Sequence, residues 1–322
     1  MTFKRVQATL MATLALAALT GVAVAGAPMQ KAQAPGYYRM MLGDFEVTVL
    51  SDGGLSFNVQ ELLTNITPSE LDGDLARAFL KEPIDFSVNA FLINTGSKLV
   101  LIDTGCGGFY GPTVGKLVSN LQAAGYKPEQ IDEIYITHMH GDHIGGLSSK
   151  DGQAVFPNAI VRAAKAEGDY WLSEAKMNAA SADDKGGFQA AMAALKPYVA
   201  AKHYQPINGD VELVPGIRAI AAFGHTPGHT TYLVSSKDQN LLLWGDLMHV
   251  AAAQFPNPTV TIKFDSNSAA AAASRQRLFA EAAAKGYLVG GAHLSFPGLG
   301  HLHADESNKS YTYVPSAYRA VP

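Results

Sequence analysis

A single cysteine, Cys106, stands among 322 residues, so no intramolecular disulfide and no cysteine-based zinc knuckle can form. Charge is also scarce. Asp, Glu, Lys and Arg together make 16% of the chain, and Lys plus Arg (24) falls short of Asp plus Glu (28). A nucleic-acid binder needs a basic surplus that this composition does not supply. Hydrophobic residues, by contrast, reach 48%, enough for a large buried core, which excludes a disordered or fibrous chain. One long apolar run is present, at residues 6–25, preceded by Lys4 and Arg5 and followed by the small residues Ala23-Val24-Ala25-Gly26. That order reads as a secretory signal peptide, residues 1–25, with a second cleavage candidate at Ala34. A retained membrane anchor is the competing reading. With cleavage, the expectation is a secreted or periplasmic protein with no membrane attachment and no nucleic-acid partner.

Behind residues 26–40, expected as a flexible lead-in, residues 41–322 read as one domain. Short strands are expected at 45–50, ending at the turn Asp52-Gly53-Gly54, at 89–93 and 99–102 around the hairpin signal Thr95-Gly96-Ser97, and at 131–137. Further strands are expected at 217–223, 231–235, 240–244 and 287–290. Helical spacing covers 112–124, 168–178, 185–200 and the alanine-rich 266–285, where Ser266 or Ser268 could cap and Gly286 could stop the helix. Strands and helices alternate, yet tight hairpins recur. The mixture fits an α/β protein of two mixed sheets packed face to face with helices outside, not a doubly wound parallel sheet.

Histidine carries the chemistry. In Thr137-His138-Met139-His140-Gly141-Asp142-His143-Ile144-Gly145-Gly146, three histidines and an aspartate occupy six positions directly after a strand. Neutral imidazoles and a carboxylate suit zinc and similar divalent ions. On extended backbone His138 and His140 point the same way, and a turn at Gly141 can present Asp142 and His143 at a second position. Two displaced pairs suggest two ions.

The segment is the His-x-His-x-Asp-His motif of the metallo-β-lactamase superfamily, which the chain resembles over nearly all of residues 41–322. The resemblance implies a four-layer αββα sandwich and extends to Leu101-Ile102-Asp103-Thr104-Gly105, Gly224-His225-Thr226-Pro227-Gly228-His229-Thr230, Trp244-Gly245-Asp246 and Gly291-Ala292-His293. It implies that His138, His140 and His225 hold one ion, that Asp142, His143 and His293 hold another, and that Asp246 bridges them. Zinc is the first expectation, with manganese, iron and cobalt open. Asp103 would orient a ligand histidine, and His229 would stand just outside the ligands. A hydroxide shared by two cations implies hydrolysis, with Asp142 and Asp246 in the catalytic set.

Within the superfamily, Val250-Ala251-Ala252-Ala253-Gln254-Phe255 and His293-Leu294-Ser295-Phe296-Pro297-Gly298-Leu299-Gly300-His301 resemble the methyl parathion hydrolase-like branch. That branch implies aryl ester, lactone or phosphotriester substrates and frequent homodimers. Three residues after Asp246 its organophosphate-hydrolysing members carry an apolar residue, and the quorum-quenching lactonases a tyrosine; this chain carries His249. Histidine can donate a proton or hydrogen bond to an ester or lactone leaving group; packing at the pocket wall is the plainer reading. Phe109, Tyr110, Tyr170, Trp171, Phe188 and Phe296 are candidates for an aromatic substrate pocket. His301 and His303 are expected on an exposed loop. Three competing functions stay open: a methyl parathion hydrolase-type phosphotriesterase, a β-lactamase, and a mononuclear iron oxidoreductase acting on sulfur compounds. So does a metal-binding module without catalysis.

Overall fold

The computed structural model describes residue 27, residues 29–305, residue 307 and residues 309–318. The expected signal segment 1–25 lies outside them. The strands, in chain order, are β1 (Tyr37–Leu42), β2 (Phe45–Phe57), β3 (Leu63–Thr64), β4 (Ile84–Asn94), β5 (Leu99–Ile102), β6 (Glu133–Tyr135), β7 (Ile160–Ala164) and β8 (Tyr204–Ile207). They continue with β9 (Val211–Val214), β10 (Ile217–Ala221), β11 (Thr230–Ser236), β12 (Gln239–Leu243), β13 (Thr261–Ile262), β14 (Leu288–Gly290), β15 (Leu299–Ala304) and β16 (Tyr311–Pro315). Among the described residues they form a seven-stranded sheet β1-β2-β4-β5-β6-β7-β8, a second of order β16-β15-β14-β12-β11-β10-β9, and a ribbon β13-β3.

Strand side chains alternate between faces, and that period sorts the core into layers. Val47, Val49, Phe91, Ile93, Val100 and Ile102 of the first sheet meet Ile217, Ala219, Tyr232, Val234, Leu241 and Leu243 of the second in one buried cluster. The alternate residues Ala90, Leu92, Leu99 and Leu101 face outward against Leu117, Leu121, Leu195 and Tyr198 of the helices Leu117–Ala123 and Lys185–Ala200. On the far side, Leu242 and Trp244 pack against Leu278, Phe279 and Ala282 of the helix Ser268–Lys285. Both faces of the central strands are therefore buried, which gives the expected αββα sandwich. No helix among the described residues is long and apolar enough to cross a membrane.

Several local expectations are corrected. The lead-in 26–40 overlaps β1, whose first residue is Tyr37. Asp52-Gly53-Gly54 is no chain reversal: β2 continues through it with a register shift between Ser51 and Gly53. Asp52 turns inward, and its carboxylate accepts from Cys106 N, Gly115 N and Leu117 N at 2.9 Å each. Those bonds pin the loop that carries Phe109 and Tyr110. They also delay the helix expected at 112–124, which starts only at Leu117 because Gly115 has φ +78° and Lys116 N is bonded to Asp52 O. The alanine-rich helix is capped by Asn267, whose side chain accepts from Ala270 N, not by either serine. Gly286 stops it in the left-handed conformation, as expected. His301 and His303 lie on β15 and not on a loop; both are exposed because alternate residues of that strand face solvent.

Candidate metal centre

Every ligand candidate, and Asp103 beside them, lies just beyond a strand. Asp103 follows β5, His138–His143 follow β6, His225 sits between β10 and β11, Asp246 follows β12 and His293 follows β14. His140 is still extended (φ −73°, ψ 154°), and the helical turn Gly141–Ile144 then swings Asp142 and His143 to the other side. Gly141 lets the Tyr110 hydroxyl come close, since a Cβ there would stand 2.6 Å from it.

Two groups of donors result. His138 Nε2 lies 3.0 Å from His140 Nδ1, which lies 3.1 Å from His225 Nε2. Asp246 Oδ2 completes that group at 3.6 Å from His138 Nε2 and 3.4 Å from His225 Nε2. The other carboxylate oxygen, Asp246 Oδ1, is 3.1 Å from both His143 Nε2 and His293 Nε2. Asp142 Oδ2 stands 3.5 Å from each of those nitrogens. Within each group the donor atoms all lie within 4.8 Å of one another. Asp246 Oδ2 is also 3.2 Å from His293 Nε2, so the one carboxylate reaches both groups.

The donor set fits divalent cations. His143 Nε2 and Asp246 Oδ1 are buried without any hydrogen-bond partner, although buried polar atoms are normally satisfied. Three imidazole nitrogens about 3 Å apart converge on a common position, where one proton can join only two of them at a time and one cation can take the lone pairs of all three. Four of the outer nitrogens have partners. His143 Nδ1 donates to Asp103 Oδ2 (2.8 Å), His225 Nδ1 to Asp265 Oδ1 (2.9 Å), and His293 Nδ1 to Ser87 O (2.9 Å). His138 Nδ1 is 3.1 Å from Thr137 Oγ1, which itself donates to Asp103 Oδ2. His229 donates from Nδ1 to Ala222 O and accepts from Asp246 N at Nε2 (3.0 Å), so it fixes the peptide from which the shared carboxylate projects.

Burial and charge set the protonation. Burial pulls His138 down and His140 to about 3, leaving both rings neutral near pH 7. At His225 burial opposes the charged form, but the hydrogen bonds and charges of Asp246 and Asp265 prevail and raise it to about 9. His143 and His293 are likewise raised by Asp246 and Asp142 against the burial cost. His249 is buried, with Nε2 at 3.0 Å from Asp246 Oδ2 and its ring stacked on His293 at 5.4 Å. Burial depresses it to about 4. Its Nε2 donates to the shared carboxylate.

The aromatic candidates divide. Phe109, Tyr110 and Phe296 are exposed on loops next to the centre. Tyr110 is about half exposed, yet its hydroxyl stands close to Gly141, and burial and the Asp142 charge raise it to about 12. Trp171 stands edge-on to His140 at 5.5 Å. Phe188 is corrected: it is 1% exposed and lies behind Trp171 at 4.9 Å, so it is core and lines no pocket. Cys106 is buried, and burial pushes its thiol far up, away from any nucleophilic role. Sequence reasoning missed Asp265, Phe264 (6.3 Å from His249) and Glu167. The only advance signal for Asp265 was a carboxylate just before a capped helix, which reads as a capping region.

The metallo-beta-lactamase superfamily model matches residues 83–293. An N-acyl homoserine lactonase of Bacillus sp is 27% identical over 213 residues, covering 60% of this chain and 76% of that one. The crystal structure of hydrolase AbOPH of the beta lactamase superfamily superposes with a TM-score of 0.85 at 33% identity, over 90% of this chain and all (100%) of that one. AidC, a dizinc quorum-quenching lactonase solved with the product N-hexnoyl-L-homoserine, gives 0.82 at 29% identity, over 88% and 99%.

Proposed function

The chain belongs to the metallo-beta-lactamase superfamily and is a metal-dependent hydrolase, and we propose that it cleaves aryl esters or lactones at a dizinc centre. Phosphotriesters are proposed as further substrates, in keeping with the methyl parathion hydrolase-like stretches around Phe255 and Phe296. The observation that carries the reading is the Asp246 carboxylate, which stands within reach of both histidine groups. His138, His140 and His225 would hold one ion, and Asp142, His143 and His293 the other. When bound, such a pair supplies Lewis acidity toward a carbonyl or phosphoryl oxygen and acidifies water.

The chain's own residues do the rest. Asp103, Asp265 and Ser87 O fix the ring orientation of His143, His225 and His293, so their Nε2 lone pairs face inward. His229 and His249 hold Asp246 from its peptide and from its carboxylate. Phe109, Tyr110, Phe264 and Phe296, all partly in solvent, would receive the apolar part of a small-molecule substrate. The acyl homoserine lactonases among the relatives favour an ester bond as the target. Export to the periplasm or beyond, on the strength of the apolar segment at 6–25, belongs to the same proposal.

A hydrolysis panel tests it: aryl ester, lactone, β-lactam and methyl parathion, on metal-replete protein beside Asp246→Ala. Ester and lactone turnover that disappears in the variant and on chelation is expected. Turnover that survives both, or cleavage of the β-lactam alone, overturns the reading.

A further inference from the structure

Glu167 belongs to neither donor group, yet it is a fully buried carboxylate. It sits in the helical segment Lys165–Trp171 that follows β7. Its Oε1 accepts from Met139 N at 2.8 Å. Its Oε2 accepts from Thr226 Oγ1 at 2.8 Å and from Gly228 N at 2.7 Å. Met139 is the residue between His138 and His140, and Thr226 and Gly228 lie between His225 and His229. One carboxylate therefore ties a loop of the first sheet to a loop of the second. Those are the two loops that supply the three nitrogens of the His138, His140 and His225 group.

Two features show that the contact is built in. Burying a carboxylate is costly unless donors satisfy it, and here three do. A Cβ on Gly228 would come within 2.4 Å of Glu167 N, so only glycine lets the second loop close on the segment. One turn further along, Trp171 of the same segment stands against the His140 ring. The other donor group is held differently, by Asp103 on His143 and by Ser87 O on His293.

We propose that Glu167 is a positioning residue that sets the distance between His140 and His225, and so governs how tightly the His138, His140 and His225 group holds its cation. This rests on the reading that the group binds a divalent ion. The prediction is selective: loss of Glu167 weakens one of the two ions and spares the one at Asp142, His143 and His293.

Glu167→Gln is nearly isosteric, but whichever way its amide turns, an NH2 faces either Met139 N–H or Gly228 N–H. One loop is then released. The test measures metal per chain after dialysis against a competing chelator, the visible spectrum of the cobalt-loaded protein, and thermal melting. Wild type is expected to keep two equivalents. E167Q should bind one equivalent roughly 10–100-fold more weakly, the usual range for partners of ligand histidines, with one component of the cobalt spectrum altered. Thr226→Val, which removes one arm, should shift the same equivalent by less, and Thr226→Ser should restore it. A folded E167Q with both affinities and the spectrum of wild type overturns the proposal. If E167Q does not fold, an unchanged T226V overturns it instead. Wild-type protein that takes up no cation would bring down the underlying reading, and this inference with it.

Discussion

Replacing His249 with Leu separates the two roles this residue could play. Its Nε2 donates to Asp246 Oδ2 at 3.0 Å, while its Nδ1 is buried without a partner. A hydrogen bond to a charged group contributes about 1.5–3 kcal/mol. Leucine fills much of the same space beside His293 and Phe264 and leaves no buried Nδ1 unsatisfied, so overall stability should change little. The loss should fall on the alignment of Asp246, and kcat/KM for both lactone and aryl ester should drop by roughly 10–150-fold at saturating metal. His249→Gln, which keeps an N–H donor, should recover part of it. Because burial holds His249 down to about 4, the wild-type pH profile should contain no limb near 6.5 that disappears in H249L. The assay is steady-state hydrolysis with metal content measured on the same samples. Unchanged ester and lactone turnover in H249L would refute the reasoning.

Metal uptake should be coupled to protons with a definite sign. His143 is raised well above the usual histidine range and His225 to about 9, so both carry protons at pH 7 that a cation must expel, and His293 is raised in the same direction. His138 and His140 are lowered and contribute none. Calorimetric titration of apoprotein in buffers of different ionisation enthalpy should therefore show proton release at pH 7 that shrinks as pH rises through about 9; buffer-independent heats would contradict it. Phe188→Ala should cost about 3–5 kcal/mol, lowering the melting temperature by roughly 6–20 °C, because the ring is core behind Trp171. A large change in KM with stability held within about 1 kcal/mol would return Phe188 to the pocket wall.

The candidate ligand side chains were legible because each sits in a short motif at a strand end, where a strand's period and a glycine turn already dictate direction. The layered sandwich was legible for a similar reason, since residues such as Leu92 and Ile93 are apolar on both faces of one strand. What stayed hidden depends on tertiary approach. Glu167 meets its partners 28, 59 and 61 positions away, and Asp265 meets His225 across 40. A lone carboxylate carries no mark of such a contact. Asp52 was read as a turn residue because its neighbours are glycines, yet the chain there bulges and turns the carboxylate inward. The pair His301 and His303 was expected on a loop, but its spacing is that of one solvent-facing face of a strand.

Anomalous diffraction from zinc-loaded crystals tests the central claim most directly. The account predicts two peaks that share Asp246, one bounded by His138 Nε2, His140 Nδ1 and His225 Nε2, the other by Asp142, His143 Nε2 and His293 Nε2. A single peak, or ions that do not touch Asp246, would contradict it.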